Sequence, residues 1–153
     1  MIRSVTIVIP VVVLVGGAGI FALHNALALG PVVFVLGFVP LVALLFAGRR
    51  IASAVPDLVF GGLDTGLLAL PVIWGGVTFG VVGAVAGTVV GDAITDALAG
   101  FFEGHVAEWL RSRGFPEGRE AVTTSLGKMS GCLLGSGFVL SVAWLAGLRL
   151  PAA

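Results

Sequence analysis

Long apolar runs separated by short polar stretches dominate the chain. One run, residues 65–90, contains 26 residues and no charged side chain. A helix of about 20 apolar residues spans the hydrocarbon core of a bilayer. The runs predict four membrane-spanning helices, at about residues 5–29, 32–48, 65–90 and 121–148. The predicted fold is therefore an all-α integral membrane protein.

Composition agrees with a single transmembrane domain over residues 1–153. Hydrophobic residues make up 58% of the chain and charged residues only 10%, with a formal net charge of zero. Soluble domains carry roughly 25% charged residues. The neutral balance argues against a nucleic-acid partner, and we expect the lipid bilayer, in the cell (plasma) membrane, as the surroundings. The single cysteine, Cys132, excludes an intrachain disulfide.

The first two spans raise questions of processing and topology. Arg3 followed by an apolar run, with Ala26-Leu27-Ala28 downstream, resembles a signal peptide. The run continues beyond signal-peptide length, so we interpret it as a first membrane helix. Gly30-Pro31 predicts a tight turn before the second span. Four spans place both termini on one side, and the basic residues then divide too evenly for the positive-inside rule to orient the chain.

The only long polar stretch, residues 91–120, lies between the third and fourth spans. Its first part has helical periodicity, with apolar and charged residues on opposite sides. The apolar side carries Ile94, Leu98, Phe101, Phe102, His105 and Trp109. We predict an amphipathic helix in the membrane interface, ended by Gly114-Phe115-Pro116.

Glycines recur at a spacing of four in the third and fourth spans. The predicted packing residues are Gly76, Gly80, Gly83, Gly87, Gly91, Gly127, Gly131 and Gly135. A spacing of four places glycines on one helix face, where two backbones approach closely. We predict that these faces pack the third span against the fourth. A homo-oligomer or another membrane partner is the alternative occupant.

Acidic residues after the third span are candidates for ion binding. Asp92, Asp96 and Glu103 share a helix face that Thr88 extends inward. Carboxylate and hydroxyl oxygens suit divalent cations such as Mg²⁺, Ca²⁺ or Mn²⁺, so these three carboxylates are a predicted metal or transport site. The alternative is that Gly91 ends one helix while Asp92 caps the next.

Asp64 and Lys128 are charged residues next to or within apolar runs. Ionisable residues at membrane depth are functional candidates, and both are candidate transport residues. Asp64 has the alternative of an interfacial ion pair with Arg49 or Arg50. Lys128 is interpreted either as a counter-charge to the carboxylates near residue 92 or as a side chain that reaches the interface.

Two short motifs resemble those of proteases. Asp64-Thr65-Gly66 resembles the Asp-Thr-Gly of aspartic proteases, and Gly91-Asp92 resembles part of the intramembrane aspartyl protease motif. A catalytic dyad needs two carboxylates within hydrogen-bonding range. In one continuous helix Asp64 and Asp92 lie ~42 Å apart, so we predict no such dyad.

Three function classes follow. We favour a small transporter or channel for a cation, which uses the charged residues named above. The alternative is a membrane scaffold or accessory subunit that acts through its glycine-lined helix faces. A lipid-modifying enzyme with a metal at Asp92 and Asp96 ranks third, so an enzyme is not the preferred interpretation.

Overall fold

The structure is a computed structural model that describes residues 2–25, 27–114 and 120–148, apart from the side chains of residues 2–4, 99–104, 106, 107 and 110. The elements are α1 (Ile2–His24), α2 (Leu29–Leu36), α3 (Phe38–Phe46), α4 (Ile51–Ser112) and α5 (Ala121–Leu145). Every regular element in these residues is a helix, so the predicted all-α architecture is confirmed for them.

Four helical segments are long and apolar enough to cross a membrane. They are Val5–His24, Leu29–Phe46, Ile51–Leu98 and Ala121–Leu145. Large apolar side chains on these segments are exposed, among them Val13 at 67% and Val82 at 79%. Extended apolar surface of this kind is unusual in soluble monomers and is what a helix bundle in lipid requires.

The connection between α1 and α2 differs from the predicted turn. It occupies residues 25–28, and Gly30 and Pro31 lie inside the first turn of α2. Proline is tolerated in a first helical turn because its missing N–H would have no helical acceptor there. Gly30 packs directly on the backbone of Ser141 in α5, so its smallness serves helix packing.

A break at Gly37 separates α2 from α3. Pro40 cannot donate to the carbonyl of Leu36, so the helical ladder loses a bond at this point. The buried hydroxyl of Ser130 in α5 donates to the carbonyl oxygen of Gly37 at 2.6 Å. The interrupted segment is thereby held by α5, which satisfies a backbone acceptor at the break.

The chain reverses direction inside α4, at Gly80. Gly80 has φ 65° and ψ −148°, a combination open to glycine but strained for other residues. A Cβ built on Gly83 would meet the backbone of Gly75, and one on Gly87 would meet Pro71. The contacts pair residues before and after Gly80 in reverse order, Gly75 with Gly83 and Pro71 with Gly87. Residues 51–79 (the first arm) and 81–112 (the second arm) therefore form an antiparallel hairpin.

The sequence predicts one span over residues 65–90, with Pro71 and Gly75-Gly76 as the site of a kink or a break. The structure corrects this prediction, because the interruption is a reversal and lies at Gly80. A straight helix of 62 residues would measure about 93 Å, three times the hydrocarbon thickness of a bilayer. Folding back at Gly80 halves that length and gives each arm a neighbour.

Helix α5 lies at the centre of the bundle. It runs parallel to the first arm, because Gly127 contacts Ala54 and Gly135 contacts Gly62. Buried apolar residues near the end of α3 and near the starts of α4 and α5 join these three helices, and α1 packs on them through its early residues. This core comprises Leu44, Ala54, Val122 and Leu126, with Ile7, Val8 and Val11 against it.

These contacts define two ends of the bundle. The basic end contains residues 49–51, 111–114 and 120–128, and an ion pair of 2.6 Å between Arg49 and Glu120 joins two of its segments. The turn end contains residues 24–29, 79–81 and 145–148. All described Lys and Arg side chains lie at the basic end, namely Arg49, Arg50, Arg111, Arg113 and Lys128.

Candidate functional site

The two arms of α4 meet along a line of close contacts, the glycine seam. On the first arm it consists of Leu68, Pro71 and Gly75, and on the second arm of Gly83, Gly87 and Gly91. Most of the atoms that a Cβ would meet at Gly83 and Gly87 belong to the backbone. The seam is therefore packed as closely as two helices allow.

Asp64 continues the seam stripe of the first arm. Positions 64, 68, 71 and 75 are spaced by four, three and four residues, so they share one helix face. On the second arm, the stripe contains Gly83, Gly87 and Gly91. The next position at the same spacing of four is Thr95. Thr95 is only 6% exposed. The register of the hairpin thus places Asp64 opposite Thr95.

The carboxylate of Asp64 has an unusual environment. Its Oδ1 atom is buried and has no hydrogen-bond partner in the described residues. The hydroxyl of Thr95 donates instead to the backbone carbonyl of Asp92, at 3.2 Å. A buried polar atom without a partner carries a desolvation cost, so this oxygen is the most conspicuous unsatisfied acceptor of the molecule's described part.

Asp64 lies near mid-length of the bundle. Gly62 and Gly66, on either side of it, both contact Gly135 of α5. Gly135 is 14 residues from the start of α5 and 10 from its end, or roughly 21 Å and 15 Å along the helix axis. The expected interfacial pair with Arg49 is therefore corrected, because Arg49 lies at the basic end and pairs with Glu120.

Asp92 and Asp96 are exposed on the outer side of the second arm. Helix α4 runs through Gly91 and Asp92 without interruption, so the interpretation of Asp92 as a helix cap is corrected. The hairpin also corrects the ~42 Å separation of Asp64 and Asp92 expected from a straight helix, although their side chains lie on different faces of the arms.

The predicted three-carboxylate metal site has only two of its members within the described side chains. The side chain of Glu103 lies outside them. Among the described side chains, no group of three His, Cys, Asp or Glu residues comes together in a way that would hold a metal ion. The exposed Asp92 and Asp96 therefore gain no further carboxylate from this part of the chain.

Lys128 is exposed, and its Nζ lies 5.0 Å from the centroid of the Phe60 ring. This cation–π contact, worth ~0.5–1 kcal/mol at exposed sites, lies at the basic end. Between described residues, no ion pair joins Lys128 to Asp92 or Asp96. Its position agrees better with a side chain that reaches the interface than with a counter-charge.

The glycines of α5 pack against the first arm. Gly127 meets Ala54, Gly131 meets Leu58, and Gly135 meets Gly62. Gly61, whose Cβ would lie 3.2 Å from Sγ of Cys132, and Gly62 were not predicted. Adjacent glycines on the first arm were the signal in the sequence that would have identified this contact.

Gly76 is buried on the first arm, and Gly80 is the turn residue itself. The predicted end of the amphipathic segment agrees with the structure, since α4 ends at Ser112 and Gly114 follows with φ 80°. Its position in the membrane interface remains a prediction.

Comparison with known protein families, characterised proteins and solved structures finds no match to this chain.

Proposed function

We propose that the chain crosses the cell membrane five times, with its basic end in the cytoplasm. Four segments have the length and apolar character for spanning, and the reversal at Gly80 makes the third of them a pair of crossings. The five described Lys and Arg side chains at one end then follow the positive-inside rule. The amphipathic part of the second arm, with Trp109, meets the interface at that end.

We further propose that the protein transports or conducts a cation, with Asp64 as the binding residue. The observation that carries this proposal is the buried, unpartnered Oδ1 of Asp64. A carboxylate at mid-membrane depth is costly unless a cation neutralises it, and such residues line ion pathways in membrane proteins. The glycine seam holds the two arms together next to Asp64, whose side chain is half-buried.

A second candidate function, a scaffold or accessory subunit, is supported by the outer face of the second arm. Val81, Val82 and Val85 are 77%, 79% and 58% exposed, and Thr88 and Asp92 are exposed on the same arm. Polar side chains that face lipid are unfavourable, so a second copy of the chain is the occupant of this face in the scaffold alternative.

Flux measurements distinguish the two functions. The full chain is reconstituted in liposomes, and uptake of Na⁺, K⁺, Mg²⁺ and protons is compared with protein-free vesicles. We expect flux that is lost in Asp64→Asn and retained in the matched control Asp92→Asn. Absence of any flux, together with disulfide cross-linking of two copies through Val82→Cys, favours the scaffold.

Membrane topology has its own test. In a Cys132→Ala background, single cysteines are introduced at Arg50, Ser112 and Leu148 and labelled with an impermeant reagent. Five crossings place positions 50 and 112 on the cytoplasmic side and position 148 outside. Four crossings place positions 50 and 112 on opposite sides, so labelling of those two from different sides contradicts the proposal.

A further inference from the structure

We infer that the cation bound by Asp64 is a proton, reached from the basic end of the hairpin. This inference rests on the proposed transport function and names the ion that the site accepts. It depends on which oxygen atoms surround Asp64, which charges face it, and where the two arms separate.

Among the described side chains, no group of three His, Cys, Asp or Glu residues surrounds Asp64 to hold a metal ion. Calcium takes six to eight oxygen ligands and magnesium about six. At the level of Asp64, the second arm presents Gly91 and Thr95, and α5 presents Gly135. Thr95 supplies one hydroxyl, which already donates to a backbone carbonyl. A proton needs a single oxygen, and the unpartnered Oδ1 of Asp64 provides it.

None of the described charged side chains on the packed elements forms an ion pair with Asp64. On the second arm, Asp92 and Asp96 point outward and are exposed. On α5, Lys128 lies over Phe60 at the basic end and Cys132 contacts Gly61. On the first arm, Asp57 lies seven residues closer to the basic end and contacts Gly127.

Since a lone ionised carboxylate is unfavourable in a low-dielectric interior, a proton bound at Asp64 removes the charge without further ligands. The same oxygen then releases the proton when water or a second acceptor reaches it. The site therefore has the minimum set of groups for proton binding and lacks a set for a metal.

The two halves of the hairpin, on either side of Asp64, differ in how closely the arms are packed. Between Asp64 and Gly80, the backbones of the arms touch at Gly75, Gly83 and Gly87. On the other side of Asp64, the stripe of the second arm continues from Thr95 to Leu98, and exposure rises from 6% to 47%. The closest described contacts between the arms therefore lie between Asp64 and the turn end, whereas the exposed Leu98 follows on the side of the basic end.

The test measures internal pH in liposomes that contain the full chain. A potassium diffusion potential, negative inside, drives protons inward, and a trapped pH-sensitive dye reports acidification. We expect the vesicle interior to acidify with the parent and with Asp92→Asn. With Asp64→Asn the acidification rate should fall to that of protein-free vesicles. Asp64→Glu keeps the carboxyl group and should restore part of the rate.

Infrared spectroscopy gives a readout that does not depend on flux. The parent should show a carboxylic-acid C=O band that is absent in Asp64→Asn and shifted in Asp64→Glu. A band unchanged in Asp64→Glu overturns the inference, even if Asp64→Asn fails to fold.

The outcomes separate the inference from the proposed function. Loss of Na⁺ or K⁺ flux in Asp64→Asn, with unchanged acidification, overturns the proton inference but supports cation transport. If neither proton flux nor metal-ion flux depends on Asp64, the proton inference and the proposed cation transport are both overturned. Equal loss of acidification in Asp92→Asn overturns the assignment to Asp64.

Discussion

Gly87→Ala tests whether the glycine seam holds the hairpin closed. A Cβ added at Gly87 would lie against the carbonyl oxygen of Pro71, 2.8 Å from the carbonyl carbon of Pro71 and 3.1 Å from the backbone nitrogen of Val72. All three atoms belong to the backbone of the first arm, so no side-chain rotation makes room. The arms must move apart, and the neighbouring contact between Gly75 and Gly83 must loosen with them.

Two opposing effects set the magnitude. Overpacking a close contact costs typically ~1–3 kcal/mol, while replacing a helical glycine by alanine gains roughly 0.5–1 kcal/mol from chain entropy. We expect Gly87→Ala to lower the free energy of unfolding by about 1–2 kcal/mol, because the first effect is the larger. The matched control is Gly19→Ala in α1, where a Cβ meets no atom within 4 Å. It should be neutral or stabilising by up to ~1 kcal/mol.

Both variants are compared with the parent by denaturant titration of helical circular dichroism in detergent or bilayers. The expected result is a lower midpoint for Gly87→Ala and an equal or higher midpoint for Gly19→Ala. Equal stability of the two variants would refute the argument, since it would mean that Gly87 does not face the first arm.

Three further substitutions test individual contacts by the same titration. In Gly80→Ala the added Cβ meets no atom within 4 Å, but the alanine must adopt φ 65°. We expect backbone strain alone to lower the free energy of unfolding by about 1–3 kcal/mol, and an unchanged midpoint would argue against the reversal. Ser130→Ala removes the buried hydrogen bond to Gly37 and should cost about 1–3 kcal/mol, whereas a neutral result would show that Gly37 finds another donor. Lys128→Met loses its contact with Phe60 and should lower the free energy of unfolding by no more than ~1 kcal/mol, with the acidification rate unchanged. A large change in proton flux would indicate that Lys128 takes part in transport.

Helix boundaries were predictable where polar residues flank an apolar run. Helix α5 begins at Ala121, directly after the charged Glu120, as the sequence predicts. The turn before α2 was misplaced, because proline at a helix start and proline in a turn leave the same pattern in the sequence. The break at Gly37 follows from Pro40 and was not predicted, although proline inside a span is a known cause.

The reversal at Gly80 has a weak local signal. Phe79, Gly80 and Val81 carry none of the Asn, Asp, Ser or Pro residues that mark turns in soluble proteins. In an apolar run, the reversal depends on contacts between residues on either side of it, such as Gly75 with Gly83. The available signal was length, since the helical stretch far exceeds one bilayer thickness.

The candidate site was predictable only in part for the same reason. Asp64 was identified as an ionisable residue in an apolar context, but the register that places Thr95 at its level exists only because the hairpin folds back. Asp92 and Asp96 were predicted as site residues because their spacing of four places both on one helix face. That placement holds whether the face contacts protein, lipid or water. Spacing identifies residues that share a face, whereas tertiary packing decides whether the face is buried.

A single glycine thus changes the argument about sidedness as well as the fold. With a straight third span, residues 49–50 and 111–113 belong to opposite sides of a membrane, and the basic residues balance. With a reversal at Gly80, the same residues meet at one end, together with Lys128. Basic residues near span ends set orientation, and the described Lys and Arg residues fall at one end only when the hairpin is present. The proposed orientation therefore depends on the reversal, and labelling of positions 50 and 112 from the cytoplasmic side would support both.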